Sequence, residues 1–168
     1  MKQQLLDPRY DFVRDGDKAF IIAFDEAIRE IGYESGDSIG NGYCWGRYMI
    51  IYAKTGVKDK KVAARIYIRD NGIVLRLFFS NIDKHRAYIE NAPEFIRLPF
   101  IGEHGDCHHC HNEKEGFCKF RKTFTIHNRL IEKCNGVVFE FEKPDTDKLP
   151  DYMALLKEFY TVRKGGKG

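Results

Sequence analysis

Four cysteines fall within 28 residues, as Cys107-x2-Cys110-x7-Cys118-x15-Cys134, and no other feature of the chain restricts its fold as strongly. A Cys-x2-Cys turn lets two sulfurs face one ion, each about 2.3 Å from it. The second pair needs a hairpin to meet. His127-Asn128 is a two-residue turn between the runs Phe120–Ile126 and Arg129–Cys134. If Ile126 pairs with Arg129, then Arg121 pairs with Cys134, and Cys118 lies just before Arg121. Spacing and strand pairing thus converge on one structural Zn2+ held by Cys107, Cys110, Cys118 and Cys134. Asn135-Gly136 follows directly, and a glycine turn there offers backbone N–H groups to a metal-bound thiolate.

Other uses of these thiols stay open. Cys107-His108-His109-Cys110 is similar to the Cys-x2-Cys of a disulfide oxidoreductase, which needs a helix N-terminus at its first cysteine. The flanks here are loop-like. A zinc deaminase needs His-x-Glu well before Pro-Cys-x2-Cys, whereas His104-Gly105-Asp106 abuts Cys107 with no proline. His104, His108, His109, His111 and His127 lie near in sequence, so a Cys3His set remains open. Four sulfurs would saturate the ion and leave no position for water, which makes the metal structural. Cys44, beside Trp45, reads as a small buried hydrophobe.

The run Cys-x2-Cys-x-Asn-Glu-Lys-x-Gly-x-Cys-x-Phe-Arg-Lys from Cys107 to Lys122, followed by Glu-Lys-Cys-Asn-Gly from Glu132, resembles a family of uncharacterised bacterial cysteine-cluster proteins. The likeness extends from about Gly46 to Tyr160. It implies a zinc-stapled α+β domain and no particular reaction.

Hydrophobic residues make up 43% of the 168 and aromatics 14%, enough for an ordinary core and too many for a disordered chain. The longest apolar run, Ala19 to Phe24, is far short of the roughly 20 residues of a membrane helix. Met1 to Gly16 has no apolar signal region, so a cytoplasmic protein is expected. The +3 net charge is too small to announce nucleic acid, but it is unevenly spread. Residues 1–46 carry 5 basic and 9 acidic groups, while 47–69 carry 7 basic and 1 acidic. Lys58-Asp59-Lys60-Lys61 reads as a solvated loop tip.

Periodicity places a helix from Asp17 to about Ile31, with Phe20, Phe24, Ala27, Ile28 and Ile31 on one face. Gly36 to Gly42 is a turn-rich loop without the Gly-Lys-Ser/Thr of a phosphate loop. Strands follow at about Arg47–Lys54, Lys61–Arg69 and Ile73–Phe79, the last two joined at Asn71-Gly72. A second helix is expected over Ile82–Asn91, broken afterwards by Pro93 and Pro99. A last helix begins at Pro150. The whole reads as one α+β domain over 1–164, with antiparallel sheets built of hairpins, flanking helices and a zinc-stapled hairpin. The cysteine subregion covers about 102–141, and 165–168 is a tail.

Pairing Asp70 with Ile73 puts Arg65, Tyr67 and Arg69 on one face with Val74, Arg76 and Phe78. Pairing Lys54 with Lys61 adds Tyr48, Ile50 and Tyr52. Guanidinium groups beside aromatic rings bind anions or stack on bases, so Arg65, Tyr67, Arg69 and Arg76 are the candidate ligand contacts, with Tyr48 and Tyr52 as stacking surfaces. The competing reading has a helix cover this face, with the arginines snorkelling at its edge. Function then falls into three classes. One is a non-catalytic binding module with a structural zinc, for a small anionic or aromatic ligand or a nucleic acid. Another is a zinc-dependent or thiol-redox enzyme using the Cys107/Cys110 region. The third is a protein-interaction subunit. No Ser/His/Asp motif and no His-Glu-x-x-His supports an enzyme.

Overall fold

A computed structural model describes residues 1–58, 61–102 and 118–160. Among them are four α-helices: α1 (Asp15–Arg29), α2 (Arg86–Asn91), α3 (Glu94–Ile101) and α4 (Leu149–Phe159). The described strands are β1 (Tyr33–Glu34), β2 (Gly40–Asn41), β3 (Tyr48–Lys54), β4 (Val62–Arg69), β5 (Gly72–Phe78), β6 (Lys122–Ile126), β7 (Arg129–Lys133) and β8 (Val138–Glu142). The fold is α+β, as the sequence predicts. The chain gathers into two compact units, residues 1–77 with 140–168 and residues 78–139. The expected tail at 165–168 lies outside the described residues. No helix among the described residues is long and apolar enough to cross a membrane.

In the first unit, α1 begins two residues before the expected Asp17. Asp15 and Asp17 both sit in its first turn, where negative charge complements the helix dipole. Phe20, Ile21, Phe24 and Ile28 are its buried stripe. It ends at Arg29, and Gly32 then takes a left-handed φ of +84° that suits glycine best. The main sheet runs β1-β3-β4-β5-β8, with β2 also on β3. The Phe24 ring lies 5.2 Å from Tyr52, so α1 covers the face that holds Ile50, Ile66, Ile68 and Leu75, all fully buried. Pro150 stands in the first turn of α4, and Tyr152 from this helix meets Phe20 and Phe141 edge to face.

Two pairings differ from expectation, with opposite consequences. The β4–β5 turn closes one residue early, pairing Arg69 with Gly72 and Ile68 with Ile73. Gly72 permits this because it adopts φ +140°, a conformation costly for any residue with a Cβ. Each partner of β4 moves by two residues, so every side chain keeps its face. In β3–β4, the expected Lys54–Lys61 contact does form, as Lys54 N–H donates to the Lys61 carbonyl at 2.9 Å. Beyond it Ala53 pairs with Val62 but Tyr52 with Ala64, so β4 carries one extra residue, a bulge. The register slips by one, and the remainder of β3 turns over. Tyr48, Ile50 and Tyr52 join the core face, while Met49 and Ile51 oppose Tyr67 and Arg65.

The second unit holds a 3-10 turn over Ile82–His85 that leads into α2, then α3 and the β6–β7 hairpin. Pro99 does not break the chain as expected but sits inside α3. An eight-residue helix has few internal bonds for a proline to remove, and Ile96 and Phe100 are buried from it. Phe100 stacks on Phe139 at 4.1 Å. The hairpin has the predicted register, Ile126 opposite Arg129 and Lys122 opposite Lys133. His127 and Asn128 both have positive φ, as a tight two-residue turn requires. Three polar contacts hold this turn. Asp83 accepts the Thr125 N–H at 2.8 Å, Glu90 accepts the His127 N–H at 2.6 Å, and Arg86 donates to Asn128 at 2.8 Å.

Candidate metal centre and arginine face

Cys118 and Cys134 reach the same end of the β6–β7 hairpin. A turn closes 118–121, where Arg121 N–H donates to the Cys118 carbonyl at 3.0 Å. Continuing the register past Lys122–Lys133 sets Arg121 opposite Cys134, and Arg121 Nη2 donates to Cys134 Sγ at 3.8 Å. Gly136 N–H donates to the Phe120 carbonyl at 2.9 Å. That amide therefore closes the hairpin, where the sequence suggested it for a thiolate. Both thiols are half-buried. Cys107 and Cys110 lie outside the described residues, as do His104, His108, His109 and His111. Among the described residues no group of three or more metal-binding side chains gathers. His127 sits at the opposite, turn end of the hairpin. It is roughly 20 Å of extended strand from Cys134, too far to replace a cysteine there. The donor chemistry present is two half-buried thiols at one end of the hairpin, one of them, Cys134, beside a guanidinium.

The arginine face is assembled differently from the expected set. Arg65, Tyr67, Arg69 and Arg76 do share it, since Arg65 pairs with Arg76 and Tyr67 with Val74. Tyr48 and Tyr52 do not. The bulge places them on the helix side, and their assignment as stacking surfaces is corrected accordingly. The Tyr48 ring meets Tyr10 edge to face at 4.9 Å. Tyr52 is fully buried beneath Phe24, and its hydroxyl has no hydrogen-bond partner among the described residues. Burial, and then the nearby Asp25 charge, pushes that hydroxyl well above the ordinary tyrosine range.

The arginines are mostly occupied by their own protein. Arg76 is 8% exposed, and its Nε donates to Glu140 at 2.6 Å. Trp45 lies over its guanidinium at 3.9 Å, and the Tyr67 ring is 5.0 Å away. Arg69 donates to the Trp45 carbonyl at 2.8 Å and lies 3.6 Å from both Glu140 and Glu142. Arg65 donates to the Tyr67 hydroxyl at 3.3 Å. The ring contacts of the two expected helices, Phe24 on Tyr52 and Tyr152 on Phe141, lie on the opposite face of the sheet. Sequence reasoning missed Trp45, Glu140 and Glu142, although the alternation Phe139-Glu140-Phe141-Glu142 signals a strand with one acidic side.

At the edge of this face, Tyr43, Cys44, Trp45, Arg47, Arg69 and Asn71 border an open cleft of about 800 Å³. Tyr43 is 78% exposed, and Cys44 is exposed too, where a buried hydrophobe was expected. Gly46 lets the loop lie against the sheet, since a Cβ there would sit 2.8 Å from the Ile68 carbonyl oxygen. Arg47 is held by Asp70 at 2.7 Å. The cleft offers cations and aromatic rings without an assembled nucleophile and base. No protein family, no curated protein and no solved structure matches this chain.

Proposed function

We propose that the protein binds one structural Zn2+ through Cys107, Cys110, Cys118 and Cys134 and serves as a non-catalytic binding module. The observation that carries this reading is the hairpin register, which returns Cys134 to the end where Cys118 stands. Zinc held by four thiolates contributes folding energy and has no open position for water. The ligand is a small anionic or aromatic molecule, taken at the cleft between Tyr43, Trp45, Arg47 and Arg69. Glu140 and Glu142 offset much of the arginine charge, which favours a small ligand over the extended phosphate backbone of a nucleic acid. Metal analysis and X-ray absorption on the full chain test the metal. One zinc per chain with four sulfur neighbours is expected. A folded, metal-free protein or a shell of oxygen ligands would refute the proposal.

A further inference from the structure

The cation beside Cys134 is held in a way that a stray surface arginine would not be. Arg121 and Glu132 lie diagonally across the β6–β7 ladder, and Arg121 Nη1 donates to Glu132 at 2.5 Å. The other arm, Nη2, reaches Cys134 Sγ at 3.8 Å. Glu132 and Cys134 are two residues apart along the chain and so share a side of the hairpin. One guanidinium thus spans a carboxylate and a sulfur, and the carboxylate fixes where the sulfur-facing arm points.

We propose that Arg121, oriented by Glu132, is a positioning residue of the zinc site: it donates to the Cys134 sulfur and holds that thiolate on the metal. This rests on the zinc reading above. Partners around a metal's ligands orient them and withdraw charge from them, and losing one costs metal affinity. A thiolate engaged by a guanidinium has less lone-pair density for solvent protons and electrophiles, so it leaves zinc more slowly.

The test uses the full chain purified with its zinc and follows zinc transfer to the chromophoric chelator 4-(2-pyridylazo)resorcinol. Arg121→Ala is expected to release zinc about 10-fold faster. Arg121→Lys keeps the charge but loses the planar fork, and falls between. Glu132→Gln frees the guanidinium and accelerates release less than Arg121→Ala. After cobalt substitution, Arg121→Ala shifts the sulfur-to-metal charge-transfer band, a signature that a merely structural role would not move. A release rate and cobalt spectrum equal to wild type in Arg121→Ala overturn the inference while leaving the zinc reading intact. Wild-type protein without zinc overturns the zinc reading and this inference with it. Should Arg121→Ala fail to fold, unchanged release in both Arg121→Lys and Glu132→Gln overturns it.

Discussion

Arg76 carries the sharpest lesson at the scale of single residues. As a sequence position it is one cation in a basic stretch, and exposed cations contribute little to stability. In the fold it is buried between Trp45, Tyr67 and Glu140. Removing the guanidinium takes from Glu140 its nearer cation, leaving it Arg69 at 3.6 Å, and empties the buried space beneath the indole. Arg76→Ala is therefore expected to destabilise the protein by about 3 kcal/mol, measured by urea denaturation. Glu140→Ala costs less in the same background than alone, because the nearer of its two cations is already gone. A melting temperature unchanged in Arg76→Ala would mean that the stacked guanidinium is not a structural element. Burial thus reverses for Arg76 the small cost that an exposed cation would carry. Arg65, on the same face and half-buried, keeps a hydrogen bond to Tyr67.

Among elements, the two hairpins show which turns a sequence specifies. His127-Asn128 takes a left-handed conformation at both positions, and its flanking residues pair as predicted. The β4–β5 turn misses by one position without changing a face. The β3–β4 bulge changes every face it precedes, because the side-chain period of a strand is two. Nothing local marks Ala63 as an extra residue. Small and apolar, it suits a bulge and a regular strand equally. The β6–β7 turn gives a pH-dependent prediction. Glu90 is held below the usual carboxylate range, first by Arg86 and then by the His127 N–H. A depressed folded value means that its contribution is present above the ordinary value of 4.5 and is lost as pH falls through the folded one. Amide exchange at His127, corrected for intrinsic rates, should lose protection on acidification before β3–β5 does. Glu90→Gln should loosen the turn already at neutral pH. Protection at His127 that is indifferent to both changes would contradict the clamp.

For the whole molecule, the two compact units set how damage at the cysteines should spread. The hairpin belongs to residues 78–139, while α1 and β3 belong to the other unit. If Cys118 holds the proposed zinc, losing it should therefore act first on the former. Cys118→Ser is expected to raise hydrogen exchange across 118–139 while α1 and β4 retain wild-type protection. The cost is several kcal/mol, because metal binding of this kind is coupled to folding. Exchange raised evenly along the chain would mean that the units do not respond separately. The α+β class, α1, α4, the β6–β7 register and the convergence of Cys118 with Cys134 were all legible in the sequence. Each depends on local periodicity, on turn residues with special backbone preferences, or on counting along a ladder. What only the tertiary structure decided was the neighbourhood of each face. The β8 strand brings Glu140 and Glu142 to the arginines, the loop at Trp45 closes over Arg76, and the bulge sends Tyr48 and Tyr52 beneath the helix side. These contacts join residues far apart in the chain, and their energies come from packing and charge pairing that no local pattern encodes.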